Sequence, residues 1–273
     1  MNKIKIYKKL INEWVDSEKI ITCGDEMSKR YKKVMMKRWQ YLYDLCTFLK
    51  PDKSIDVLDV GRSHFSQMLA EYYNNTTTLG FDLADDGGHR ELDECNLEHI
   101  VFDLKKASDT TLWPNGKNYD IIIYSEVIEH LNEAPEYSLL FLKYLLKPDG
   151  ILICSTPNAA AIHKRLKMGL GFNPYEKIRF FNNNPGHFRE YTRQELYEMG
   201  NKCGLNCIFH RYENFFTHDP SDFYTKLTQK LFSAATAFVP SWKNQQIIVF
   251  KNSHVSDPVN LDSINTKQEA VQE

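Results

Sequence analysis

Three side chains within five residues hold the densest chemistry in this chain. Glu126, Glu129 and His130 follow the apolar run YDIIIYS in the sequence SEVIEH. If the chain turns helical after Ser125, positions three and four apart stack on one face, and two carboxylates meet an imidazole. Two carboxylates held together repel unless a proton or a cation lies between them. Oxygen donors beside an imidazole suit a divalent cation, Mg²⁺ or Mn²⁺ before Zn²⁺. The same histidine can also act as a general base. A blander reading separates the three: Glu126 faces a bound cofactor, Glu129 is solvated and His130 is held by a structural hydrogen bond.

A second set of residues lies at the ends of apolar runs. VLDVGRSHFSQML places Asp59, Gly61 and Ser63 in a tight turn before a helical pattern, a place that needs little Cβ bulk and offers backbone N–H groups to an anion. The spacing is a poor dinucleotide fingerprint, since Ser63 and Ser66 stand where glycines are required. Asp82 ends the second run, where an acid binds ribose hydroxyls. Asp103 ends the third, and Ser125 ends the fourth.

The elements that must carry these residues are legible as alternation. Short β-branched runs, IDVLDV, TTTLGFD, IVFD, YDIIIYS, ILICSTP, LNCIFHRY and QQIIVF, predict seven strands. FSQMLAEYY and PEYSLLFLKYLLKPDG have helical spacing, the second closing at Pro148 and Gly150. Thr192 and Glu195 form a capping box for a helix whose stripe is Leu196, Met199 and Cys203, with Gly204 as its stop. Strands alternating with helices predict an α/β fold, a doubly wound, mostly parallel seven-stranded sheet. Ahead of it, Tyr31, Val34, Met35, Arg38, Trp39, Leu42, Leu45 and Leu49 recur at helical steps up to Pro51. Residues 1–50 therefore read as a helical N-terminal cap, with a local charge of +6 in a chain of −2. The main domain is expected over 51–252, with a lid at 158–186, a helical insertion at 219–240 and a disordered tail at 253–273.

Asp59 to Phe65, Asp82, Asp103, YDIIIYSEVIEHL and LLKPDGILICSTPN together resemble the class I S-adenosylmethionine-dependent methyltransferases, over about residues 50–250. The resemblance implies a Rossmann-like fold with an antiparallel seventh strand. It implies that Asp82 holds the cofactor's ribose, that Asp103 reaches the adenine amine, and that Arg38 pairs with the cofactor's carboxylate. Asp59, Gly61, Ser63 and Ser125 complete the implied cofactor set, although Ser63 and Phe65 replace the family's later glycines. The E-x-x-E-H run is similar to that of ubiquinone-pathway O-methyltransferases and of small-RNA 2′-O-methyltransferases. In the latter a downstream histidine joins it, and His187 in PGHFREYT takes that place here. The implied metal set is Glu126, Glu129, His130 and His187, with His130, His187 and Glu126 as catalytic candidates.

An alcohol starts near pKa ~15.7, about nine units from ionised at pH 7, or roughly 12 kcal/mol. Alcohol methylation thus gains from a metal, whereas a phenol near pKa ~10 can use a histidine base. The lid carries Lys164, Arg165, Lys167, Lys177 and Arg179 against Glu176, with Phe172, Tyr175, Phe180 and Phe181. That mixture suits a small substrate with an anionic group and a flat or greasy part, such as a sugar- or lipid-linked hydroxyl compound. It equally suits a solvated basic loop anchored by its aromatics. Overall charge argues against nucleic acid. No run approaches the roughly 20 residues of a membrane span. MNKIKIYKKLINEW lacks a signal peptide's apolar stretch, and six scattered cysteines point to reduced thiols, so a cytoplasmic location is expected. Two rival readings stand beside O-methylation: a metal-independent N- or C-methyltransferase with a histidine base, and a catalytically silent binding protein of the same fold.

Overall fold

The computed structural model describes residues 26–82, 97–179, 186–215, 234 and 236–253. The elements in order are α1 (Glu26–Leu49), β1 (Asp56–Val60), α2 (His64–Ala70), β2 (Asn75–Gly80), β3 (Glu98–Val101), β4 (Tyr119–Ser125), α3 (Pro135–Leu145), β5 (Leu146–Pro157), α4 (Ile162–Gly169), α5 (Arg193–Lys202), β6 (Leu205–Glu213) and β7 (Gln245–Asn252). They build one seven-stranded sheet in the order β3-β2-β1-β4-β5-β7-β6. Pairing is parallel except for β7, which runs antiparallel to both β5 and β6. The order reverses between β1 and β4, and ligands of such sheets lie in the crevice beyond the strand carboxyl ends there.

Both faces of the sheet are covered, which is why its strands read as nearly continuous apolar runs. Val57, Ile121, Ile123, Ile151, Ile153, Ile247 and Val249 face α1 and α2. The alternate residues Leu58, Ile122, Tyr124, Leu152, Cys154, Ile248 and Phe250 face α3 and α5. Met35, Trp39, Leu42 and Cys46 tie α1 to the first face. Each buried large side chain there contributes about 1.5–3 kcal/mol, enough to hold Arg38 of the same helix in place above the sheet.

All seven expected strands are present, and the capping box of α5 forms as read, with Glu195 accepting from the Thr192 N–H and hydroxyl. The helix before β5 stops earlier than its Pro–Asp–Gly ending indicates. It ends at Leu145, and Leu146 already pairs with Tyr119 while Ile121 pairs with Ile151. The intervening residues loop out of the ladder, with Asp149 at φ 60°. Of the 158–186 segment, residues 180–185 lie outside the described residues, as do most of 219–240, all of 254–273 and residues 1–25. Among the described residues no helix is long and apolar enough to cross a membrane.

Candidate functional site

The turn after β1 is built around a buried acid. Asp59 lies inside the strand, 2% exposed, and its Oδ2 accepts the Ser66 hydroxyl at 2.6 Å. Ser66 Oγ in turn accepts the Ser63 N–H, and Ser63 Oγ accepts the Phe65 N–H. Asp59 and Ser63, expected to face a ligand, instead hold the loop to the strand. Burial raises the Asp59 carboxyl to about 7, opposed by the Ser66 hydrogen bond and the charge of Arg38. Ser63 also consumes one of the helix-start N–H groups that an anion would need. Gly61 adopts φ 88°, a left-handed conformation that favours glycine.

Asp82 and Asp103 each stand two residues beyond adjacent parallel strands whose last residues, Gly80 and Val101, are in register. They therefore share the sheet's carboxyl edge. Asp82 is exposed. Asp103 is half-buried and caps a short 3₁₀ turn, accepting the Lys105 N–H at 3.0 Å. Ser125 closes β4 with its hydroxyl 2.8 Å from that of Ser155.

The residues after β4 do not form the helix that would stack Glu126 over Glu129 and His130. Glu126 takes φ 55°, and a 3₁₀ turn covers only Ile128–His130. The change of direction leaves Glu126 outside the donor cluster that the other two enter, while its charge still acts on both. Its N–H donates to Ser155 O at 2.8 Å, and its carboxylate takes hydrogen bonds from Ser155 Oγ and Gln245 Nε2, both at 3.1 Å. Arg38 Nη1 lies 3.1 Å from Oε2. In this arrangement the buried guanidinium of α1, expected at a cofactor carboxylate, faces the chain's own Glu126. A left-handed non-glycine residue costs of order 1–3 kcal/mol, offset here by four polar contacts.

Glu129 and His130 turn toward His187. Among the described residues, one donor atom each from Glu129, His130 and His187 fall within 4.8 Å of one another. Glu129 is fully buried. Its Oε2 accepts the Thr156 hydroxyl at 3.0 Å, while Oε1 has no hydrogen-bond partner among the described residues. Burial, then the nearby Glu126, push its carboxyl well above the usual range. His130 Nδ1 lies 2.9 Å from Gly186 O. A carbonyl only accepts, so Nδ1 carries the proton and Nε2 keeps its lone pair. Gly186 has φ 85°, and a Cβ there would come within 3.2 Å of the Glu176 carboxylate, so the backbone that meets His130 requires glycine. Burial lowers the His130 pKa, the Gly186 contact opposing it and His187 adding to it. The two imidazole rings meet edge to face, centroids 4.8 Å apart.

Glu190, which the sequence reading passed over, and Lys164, expected among the lid cations, complete the arrangement. Glu190 Oε1 is 3.3 Å from His187 Nδ1, and Glu190 Oε2 pairs with Lys164 of α4. Lys164 is buried and also donates to Asn158 O at 3.0 Å, so it is not part of a solvated basic face. A carboxylate three residues after a histidine was the available signal in HFRE. Next to this cluster a cavity of about 720 Å³ opens between residues 173–178 and 187–195, with Tyr175, Lys177, His187, Arg189 and Glu190 among its walls. The size fits a small-molecule site.

The family described as a methyltransferase domain matches residues 30–210. A ubiquinone biosynthesis O-methyltransferase of Roseobacter denitrificans is 28% identical over 114 residues, 40% of this chain and 44% of that protein. One from Dinoroseobacter shibae is 31% identical over 112 residues, 40% and 43% of the two chains. The chain thus spans less than half the length of these curated relatives. A methyltransferase structure from Archaeoglobus fulgidus covers 83% of this chain and 100% of its own at 13% identity, TM-score 0.51. The magnesium protoporphyrin IX methyltransferase of Synechocystis, solved with S-adenosylhomocysteine, covers 84% and 88% at 12% identity, TM-score 0.52. At such identities the structures speak for the fold alone.

Proposed function

The chain belongs to the class I S-adenosylmethionine-dependent methyltransferases, and from that premise we propose that it transfers the cofactor's methyl group to a hydroxyl oxygen of a small molecule, with a divalent cation held by Glu129, His130 and His187. The observation that carries the proposal is the unpartnered, fully buried Oε1 of Glu129, gathered with His130 and His187 donor atoms. An uncompensated buried carboxylate is costly. A cation at that point would satisfy the carboxylate and use the lone pair on His130 Nε2.

The residues around the first turn fit the cofactor. Gly61 leaves the space above β1 open, a Cβ there meeting nothing nearer than Val127 at 3.6 Å. Asp82, exposed at the same edge, is placed to accept from ribose hydroxyls, and Asp103 lies one strand further out for the adenine. Arg38 would turn from Glu126 to the cofactor's carboxylate. The bound cofactor supplies a methyl already activated as a sulfonium, so no nucleophilic side chain is required. A bound divalent cation would lower the pKa of an acceptor hydroxyl. Glu129, His130 and His187 would orient that oxygen, while the cavity beside His187 would take the rest of the acceptor and exclude water from the transfer.

Acceptor class follows from two supports. The curated relatives are O-methyltransferases of ubiquinone biosynthesis, and α4 with the chain after it leaves Leu166, Leu170, Phe172 and Ile178 exposed beside Arg165 and Lys167. Together they favour a greasy or aromatic hydroxyl compound with an anionic part over a nucleic acid. Turnover measured after exhaustive chelation tests the cation. Loss of activity, restored by Mg²⁺ or Mn²⁺, agrees with the proposal. Full activity in rigorously metal-free enzyme, abolished in His130→Ala, would replace the cation with a histidine base, a role that the half-buried His130, its pKa lowered by burial, also fits.

A further inference from the structure

We propose that Glu190 is a positioning residue that fixes the tautomer of His187, and that Lys164 couples this to the docking of α4. The inference rests on the reading above that His187 faces the reacting oxygen. Glu190 divides its two oxygens: Oε1 toward His187 Nδ1 and Oε2 toward Lys164. A carboxylate only accepts from a neutral ring, so the His187 proton sits on Nδ1 and the lone pair on Nε2. His130 reaches the same state through Gly186 O. Both imidazoles of the cluster are thereby set to offer Nε2, the pattern by which a hydrogen-bonded carboxylate orients and strengthens a ligating or basic histidine.

A purely structural role for Glu190 is disfavoured by how its segment is held. The Phe188 N–H donates to Glu129 O at 2.8 Å. Tyr191 O accepts from Ala159 N at 3.0 Å and from Gln246 Nε2 at 2.6 Å. These bonds fasten the backbone on both sides of Glu190 without its side chain. What the Glu190 side chain alone adds is the restraint on the ring and the partner for Lys164. Lys164 in turn differs from Arg165, Lys167 and Lys177, all exposed, in being buried against Glu190 and Asn158 O. Undocking α4 would withdraw the cation from Glu190, leaving a buried carboxylate to seek another partner and releasing the His187 ring.

The test is ¹⁵N NMR of histidine-labelled, metal-free full chain at about pH 8.5, above the ordinary imidazole range, with Mn²⁺ affinity as a second readout. The wild-type His187 is expected as the Nδ1–H tautomer. Glu190→Ala should shift it toward Nε2–H and weaken Mn²⁺ binding about 10–100-fold, with S-adenosylhomocysteine affinity unchanged and thermal unfolding lowered, because the buried Lys164 ammonium loses its partner. Glu190→Gln, whose amide oxygen still accepts, should restore the tautomer and part of the Mn²⁺ affinity. Lys164→Met should give an intermediate shift. Nε2–H in the wild type, or Nδ1–H persisting in Glu190→Ala, overturns the proposal; a wild-type spectrum in Lys164→Met overturns the coupling to α4. Failure of the wild-type chain to bind any Mn²⁺ would sink the cation reading alone, since the tautomer is read without metal.

Discussion

The two halves of the sheet's carboxyl edge are organised by opposite means. On the β1–β2–β3 side, backbone shape leads: Gly61 opens the turn, and Asp82 and Asp103 stand two residues beyond paired strand ends, Asp103 capping a 3₁₀ turn. On the β4–β5 side, buried side chains hold one another. Glu126 is met by Arg38, Ser155 and Gln245, Glu129 by Thr156, and His187 by Glu190. The first half is suited to a ligand that brings its own polar groups. The second is arranged in advance around the unmatched Oε1 of Glu129, as a reacting centre needs. Variants that separate binding from turnover should therefore sort by side.

The largest effect is expected on the β4–β5 side. Glu129→Gln and His187→Ala should each lower turnover on the order of 10³-fold, several kcal/mol of barrier, with S-adenosylhomocysteine affinity held within about twofold by calorimetry. Equal losses of turnover and cofactor affinity would erase the distinction between the halves.

Asp59 is the buried exception on the β1–β2–β3 side, and its expected signature is in stability. Its folded pKa, about 7, lies above an unfolded value near ~3.9. The folded state therefore holds the proton more tightly between those values. This contribution is fully present below about pH 4, is lost as pH rises through 7, and stays lost above, up to roughly 4 kcal/mol. Asp59→Asn, which can still accept from Ser66, should remove that slope. Denaturant unfolding at pH 4 to 8 should show the variant gaining on the wild type across the window; parallel curves would contradict it.

Asp82→Ala should weaken S-adenosylhomocysteine binding by about 1.5–3 kcal/mol through loss of a charge-assisted hydrogen bond, at unchanged thermal unfolding. Unaltered affinity would take Asp82 out of the cofactor site. The smallest effect belongs to the exposed cations of α4. Changing Arg165 and Lys167 to Gln should raise the acceptor KM a few-fold, under about 1 kcal/mol, without altering cofactor affinity. An unchanged KM would leave them as a solvated surface.

What the sequence discloses here follows from how local each determinant is. The strands are legible because both faces are buried and the runs stay apolar, and the α5 cap because its partners sit three residues apart. Asp59 resists reading, because nothing local distinguishes a strand-end acid that faces a ligand from one that accepts Ser66. Glu126, Glu129 and His130 have helical spacing, but a left-handed Glu126 is stabilised by Arg38, Ser155 and Gln245, from three other parts of the chain. The start of β5 is set by pairing of Leu146 with Tyr119 against a local Pro–Asp–Gly stop. Lys164 reads as one of five lid cations until Glu190 arrives from 26 residues away.

The central claim is that Glu129, His130 and His187, and not Glu126, hold a cation at the reacting centre. Electron paramagnetic resonance of Mn²⁺ titrated into chain saturated with S-adenosylhomocysteine tests it most directly. One bound Mn²⁺ per chain is expected, lost in Glu129→Gln and retained in Glu126→Gln. No bound Mn²⁺ in the wild type, or binding indifferent to Glu129→Gln, would contradict it.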